Sequence, residues 1–271
     1  MQLPFPLKSM DLSPRERSTI EGILSAPSLG IIARRLNKKI SLPASVYLAR
    51  WGVAPNYITF FNLLIGLLSA YLASLGGFWP LFWGGVLFQL ASIVDGCDGE
   101  VAKLTGQMSR MGSWFDTITD NVTLLLFIIG VSFGYYHSTE AAWVILALKL
   151  SVGSLFLTFL VAMSHMVFKK WEKASLVNYE QEVLTPMARS LGRPFFLLVS
   201  YGKYIVKKDF FTLVFCMLAM LALPEVIIFL VAFCGSLVSG IFIFLALKQI
   251  IFGSKPLETK LEKLETKTDV S

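Results

Sequence analysis

The chain has 271 residues, of which 55% are hydrophobic and only 15% charged, and its mean hydropathy is +0.67. A soluble domain cannot hide that much apolar surface, whereas a lipid bilayer can, so the composition predicts an all-α polytopic membrane protein. The net charge of +6 sits beside apolar segments, which points to anionic lipid headgroups and a phosphorylated substrate and away from nucleic acid. Three cysteines and two histidines provide neither a disulfide framework nor a Cys/His metal spacing.

Residues 1–39 read as a basic N-terminal extension broken by Pro14, Pro27 and Gly30, with its densest positive run at Arg34-Arg35-Leu36-Asn37-Lys38-Lys39. No continuous apolar core marks a cleavable signal peptide there. Residues 40–54 predict a short amphipathic helix lying in the membrane plane, with Leu42, Val46, Tyr47 and Trp51 towards lipid and Arg50 towards headgroups.

Six apolar segments follow, beginning at Pro55, Trp79, Ser113, Ala141, Phe210 and Val226 and ending near Leu75, Val94, Tyr136, Phe168, Leu223 and Leu247. Segments near 20 residues cross a hydrocarbon core of about 30 Å. Lys and Arg number eight before the first segment, two between the second and third, eight between the fourth and fifth, and five from Lys248 onward. The other connections have none, so the positive-inside rule predicts that both termini are cytoplasmic. The predicted organisation is the extension at 1–39, a six-helix domain at 40–252 and a charged tail at 253–271, whose Leu257, Leu261 and Leu264 share a helical face.

The chemistry concentrates in residues 95–120, DGCDGEVAKLTGQMSRMGSWFDTITD. Asp95 pairs with Asp98 and Asp116 with Asp120, spacings that put each pair on one helical face. Both pairs lie where an apolar segment meets a short polar one, so the four carboxylates are expected to converge at the cytoplasmic boundary. Converging carboxylates repel unless cations separate them, and hard oxygen ligands favour Mg²⁺, Mn²⁺ or Ca²⁺. Two such ions about 4 Å apart clamp the attacking and leaving oxygens of a phosphoryl transfer.

The pattern Asp95-x2-Asp98-Gly99-x2-Ala102-Lys103-x8-Gly112-x3-Asp116-x3-Asp120 resembles the signature of the CDP-alcohol phosphotransferase (phosphatidyltransferase) family. It departs at Lys103, where the family usually has Arg. The resemblance implies a membrane transferase that passes the phosphoryl-alcohol part of a CDP-linked donor to a hydroxyl acceptor and releases CMP. Two Mg²⁺ ions, or Mn²⁺, would be held by Asp95, Asp98, Asp116 and Asp120. Asp120 would be the general base for the acceptor hydroxyl or a further metal ligand. Gly99 and Ala102 lack bulk, so a nucleotide can approach the helix backbone. Lys103 keeps a charge for the diphosphate without the fork of Arg, and Gly112 belongs to the same motif. Asn56 and Thr59, after Pro55, resemble a nucleotide-side element of the family and equally fit a helix start.

Arg189, Arg193, Lys207 and Lys208 are candidates for binding a phosphorylated acceptor. The stretches LNKKIS, PNYITFFNLLIGLL and SIVDGCDGEVAKL look most like the di-myo-inositol-phosphate phosphate synthase branch, which implies CDP-inositol as donor and an inositol phosphate as acceptor. A phospholipid synthase using CDP-diacylglycerol would share the catalytic core. An aspartate-rich prenyltransferase would have its two motifs far apart in sequence, and a transporter would have its carboxylates near mid-membrane. The resemblance also implies a homodimer.

Overall fold

A computed structural model describes residues 7–26, 30, 32–168 and 208–252, and helix is the only regular structure among them. Helix α1 (Pro14–Ser25) precedes a π-helical turn (Ala33–Asn37) that runs directly into α2 (Lys38–Arg50). Then come α3 (Pro55–Ser74), α4 (Phe78–Thr105), α5 (Arg110–Thr139) and α6 (Trp143–Phe168). The described part closes with α7 (Lys208–Met220) and α8 (Pro224–Phe252). Among the described residues α3, α4 and α5 are long and apolar enough to cross a membrane. At 1.5 Å per residue, even the shortest of them reaches about 30 Å.

Two of these helices outrun their apolar segments. α4 continues through Asp95 and Asp98 to Thr105, where Gly106 in the left-handed region (φ 75°) ends it. Three residues later Ser109 caps α5, its hydroxyl accepting the Gly112 N–H at 3.0 Å. All four aspartates are therefore helical, and the turn between the pairs is short.

The central core joins α3 to α8 through Phe88, Phe127, Ile128, Phe215, Ile227 and Ile228 among others. Phe88 and Phe127 stack with ring centres 4.1 Å apart, and Phe215 lies 6.4 and 6.5 Å from them, tying α4, α5 and α7 together. On α5, Gly130 and Gly134 lie against the carbonyl oxygens of Ala70 and Ala73, where an added Cβ would collide with the α3 backbone. Small residues four apart are what allow α3 and α5 to pack this closely.

The N-terminal helices pack on the protein, and this corrects the orientation expected for residues 40–54. Leu42 and Val46 are completely buried, in a cluster with Leu7, Ile20, Ile23 and Leu24 that Leu104 of α4 also joins. The stripe left outward is Leu36, Ile40, Tyr47 and Trp51, between 38% and 77% exposed. The helix has two apolar faces, and the compact aliphatic one packs against α1 and α4 while the aromatic one stays free. Arg50 is likewise engaged within the protein, donating to Glu16 at 2.9 and 3.0 Å and to the Asp11 carbonyl at 2.5 Å. Glu16 also closes a capping box with Ser13 at the start of α1. The Arg50 guanidinium holds the Glu16 carboxyl down at about 2, below its ordinary value of 4.5.

Candidate active site

Because α3 packs against both α4 and α5, it brings the two aspartate pairs together at one end of the bundle. Asp95, Asp116 and Asp120 each offer a carboxylate oxygen within 4.8 Å of the others, and all three are half-buried. Asp116 Oδ1 is buried with no hydrogen-bond partner. Asp98 stands slightly apart and is buried. Its Oδ2 accepts from the Thr59 hydroxyl and its Oδ1 from the Gly99 N–H, each at 2.5 Å. Asn62, one turn beyond Thr59 on α3, makes a long 3.5 Å contact from Nδ2 to Asp95 Oδ1.

Lys208, the first residue of α7, reaches into this cluster. Its Nζ lies 3.1 Å from Asp95 Oδ1 and donates directly to Asp120 Oδ1. Among the described residues one ammonium stands beside four carboxylates, which leaves an excess of negative charge there, and an unpartnered buried oxygen on Asp116 adds to the cost of that arrangement. Three hard oxygen donors converging with charge to spare suit a divalent cation of the Mg²⁺ or Mn²⁺ type.

The positions named for the nucleotide divide. Gly99 is exposed, and a Cβ built on it would meet nothing within 4 Å, so no protein packing demands glycine there. Ala102 is half-buried and Lys103 exposed, one turn further along the same face of α4. Gly112 sits at the start of α5, where an added Cβ would come within 2.9 Å of Ser109 Oγ and 3.2 Å of Asn56 Oδ1. The starts of α3 and α5 thus meet at this end of the bundle. Thr59, in contrast, is buried, and its hydroxyl is taken up by Asp98 and by the Pro55 carbonyl at 3.3 Å. Of the acceptor candidates Lys208 joins the aspartates, while Arg189, Arg193 and Lys207 lie outside the described residues.

Two polar networks beside the site were not anticipated. The Glu100 carboxylate is buried between α4 and α2, accepting from Lys38 Nζ (2.5 Å), Ser41 Oγ (2.8 Å) and Ser45 Oγ (2.6 Å). Asn37 donates from Nδ2 to Asp209 Oδ1 at 2.8 Å and accepts at Oδ1 from Gln89 Nε2 at 3.1 Å. Polar residues such as Asn62 and Gln89 within apolar runs are the available sequence signal, since a buried amide requires a partner.

The CDP-alcohol phosphatidyltransferase family profile matches residues 52–237. Curated relatives named bifunctional IPC transferase and DIPP synthase align from Archaeoglobus fulgidus (32% identity, 49% of this chain, 26% of the relative) and Thermococcus kodakarensis (35%, 48% and 28%). A protein of Pyrococcus horikoshii named archaetidylinositol phosphate synthase is 29% identical over 32% of this chain and 45% of its own length. The chain spans about a quarter of the length of the two bifunctional relatives. Members of this family generally depend on divalent metal, which accords with the aspartate cluster. On the match over 52–237, with the motif aspartates brought together by α4 and α5, this integral membrane chain belongs to the CDP-alcohol phosphatidyltransferase family.

Proposed function

We propose that the chain transfers a phosphoryl-alcohol group from a CDP-linked donor to the hydroxyl of a phosphorylated acceptor, releasing CMP. The convergence of Asp95, Asp116 and Asp120 within 4.8 Å carries this reading. The relatives named DIPP synthase favour an inositol-type pair, CDP-inositol as donor and an inositol phosphate as acceptor.

Asp95, Asp98, Asp116 and Asp120 would hold two Mg²⁺ ions. Divalent ions there supply charge neutralisation for the diphosphate and for the departing CMP. Gly99 and Ala102 leave the α4 backbone open to the nucleotide, with Asn56 and Gly112 at the neighbouring helix starts and Lys103 presenting a cation to the diphosphate. Thr59 acts through Asp98, fixing the orientation of its carboxylate. Asp120 takes the proton of the acceptor hydroxyl. The freed oxygen then bonds to the phosphorus bearing the donor alcohol, and the phosphorus–oxygen bond to CMP breaks with its electron pair leaving on CMP. Lys208, beside Asp120, supplies a cation for the acceptor phosphate, together with Lys207, Arg189 and Arg193 of the preceding segment.

In the membrane this reading has six spans, both termini and the carboxylates on the cytoplasmic side, and a homodimer as the working unit. The domain limits are 1–39, 40–252 and 253–271. The outward stripe Leu36, Ile40, Tyr47 and Trp51, flanked by Arg35 and Lys39, provides the lipid-facing surface of the in-plane helix.

CMP release by the purified protein with Mg²⁺ tests the proposal. CMP from CDP-inositol with inositol phosphate, lost in Asp120→Ala, is the expected result. CMP from CDP-diacylglycerol alone would move the protein to phospholipid synthesis, in line with a relative from Mycobacteroides abscessus named phosphatidylinositol phosphate synthase. CMP from neither donor would overturn the transferase reading for these donors.

A further inference from the structure

The Asn37 side chain belongs to the N-terminal segment, before the first apolar helix, yet it is buried against the far end of the fold in sequence. Its amide donates to Asp209 at 2.8 Å across 172 residues, and its carbonyl accepts from Gln89 of α4 at 3.1 Å. Only 3% of Asn37 is exposed. Asp209 directly follows Lys208, whose ammonium bridges Asp95 and Asp120. On the other side of Asn37, Lys38 is anchored to the buried Glu100. Asn37 ends the π-helical turn, an irregularity that often accompanies functional sites.

These contacts form one chain of positions, from Glu100 through Lys38 to Asn37, then Asp209 and Lys208. We infer that Asn37 is a positioning residue for the active site: with Gln89 it fixes Asp209, and so the start of α7, such that Lys208 is held beside Asp120. A long, flexible lysine side chain needs this help. Its four-carbon stem has many rotamers, and only a fixed backbone limits where its charge can go. The role of Lys208 toward an acceptor phosphate rests on the proposed transfer reaction, whereas the placement of Lys208 does not.

The donor and acceptor pattern provides a specific test. Asn37→Asp places two carboxylates face to face, and Asp209→Asn removes the charged acceptor. The double variant Asn37→Asp/Asp209→Asn restores a bond of reversed polarity, and the carboxylate it puts at position 37 still accepts from Gln89. The full-length protein in detergent would be treated with a water-soluble acetylating reagent, and the rate at Lys208 read by mass spectrometry against exposed Lys103 in the same sample. Loss of a charged hydrogen bond predicts a rate about tenfold higher at Lys208 in Asn37→Asp. The double variant is expected to return to within about twofold of wild type. Unchanged labelling in Asn37→Asp overturns the inference, as does a double variant no better than the worse single one.

With the transferase active, Asn37→Asp should raise the KM for the acceptor about tenfold and leave that for the CDP donor unmoved, and the double variant should restore the acceptor KM. Equal rises in both constants would also overturn it. The expected labelling from a wild-type protein that releases no CMP would sustain the positioning and reject the transfer reaction.

Discussion

Two carboxylates on α4, Asp98 and Glu100, are only two residues apart, yet they open onto different kinds of surroundings. Glu100 faces α2, where an ammonium and two hydroxyls meet it at 2.5 to 2.8 Å and nothing is left over. Asp98 turns towards α3 and the other three aspartates, where among the described residues Lys208 is the one ammonium, shared by Asp95 and Asp120, and Asp116 Oδ1 is unpartnered. The first arrangement joins elements; the second is short of positive charge and suited to receive it. A helix that crosses from lipid to water can carry both because its faces meet different neighbours. Balance of charge, rather than burial, distinguishes the structural carboxylate from the functional cluster.

The comparison breaks if the unbalanced cluster can be dismantled without loss of activity. Asp120→Asn and Asp116→Ala are each expected to lower CMP release about 1,000-fold, through loss of a general base or of metal charge. Thermal unfolding in detergent should be unchanged or shifted upward, since each variant relieves repulsion among like charges. A variant that keeps activity, or one that loses activity only by unfolding, would place these aspartates in the structural class.

Glu100 should behave in the opposite way. Glu100→Ala leaves the half-buried Lys38 without its counter-charge and two buried hydroxyls without an acceptor, a loss of about 3 kcal/mol. Denaturant unfolding in mixed micelles measures it, and Mg²⁺ affinity of the folded fraction is expected to stay close to wild type. A large fall in Mg²⁺ affinity with intact stability would instead make Glu100 part of the site.

Glycines on either side of the site sharpen the contrast at smaller scale. Gly99→Ala adds a methyl that meets no packed neighbour within 4 Å inside a helix, so it should leave stability unchanged or raise it by up to about 1 kcal/mol. If the nucleotide approaches there, CDP affinity should drop about tenfold, the effect of a misfit in a packed contact. Gly112→Ala, by contrast, pushes a Cβ to 2.9 Å from the Ser109 cap and should lower stability by about 1 kcal/mol, the usual value of a cap. Calorimetric CDP binding alongside thermal unfolding separates the two. Equal effects on both quantities in both variants would remove the distinction.

Much of this was legible from local pattern. The spacing of Asp95, Asp98, Asp116 and Asp120 needs only helical periodicity to pair them, and apolar runs near 20 residues announce α3, α4 and α5. What escaped depends on contacts far apart in sequence. Glu100 meets its three donors across 55 to 62 residues, and Asn37 meets Asp209 across 172. No local rule says which lysine or serine will be opposite a buried carboxylate. Leu42 and Val46 mislead for another reason. In a helix with two apolar faces, hydrophobicity shows that each face is covered, but not whether protein or lipid covers it. The aliphatic cluster of α1 decides it here.

The smallest effect concerns the ion pair that seats α1 on α2. Glu16 is depressed to about 2 in the folded protein by Arg50. A carboxyl held below its unfolded value stabilises the fold above that value, near 4.5, and the contribution fades as pH falls towards 2. Glu16→Gln should therefore lower stability near neutrality, by less than about 1 kcal/mol because solvent screens the pair. The gap from wild type should close steadily below pH 4.5. Paired unfolding curves across that range check both size and direction. A gap that widened on acidification would mean that Glu16 is held protonated, and the seat of α1 would then rest on the buried aliphatic cluster alone.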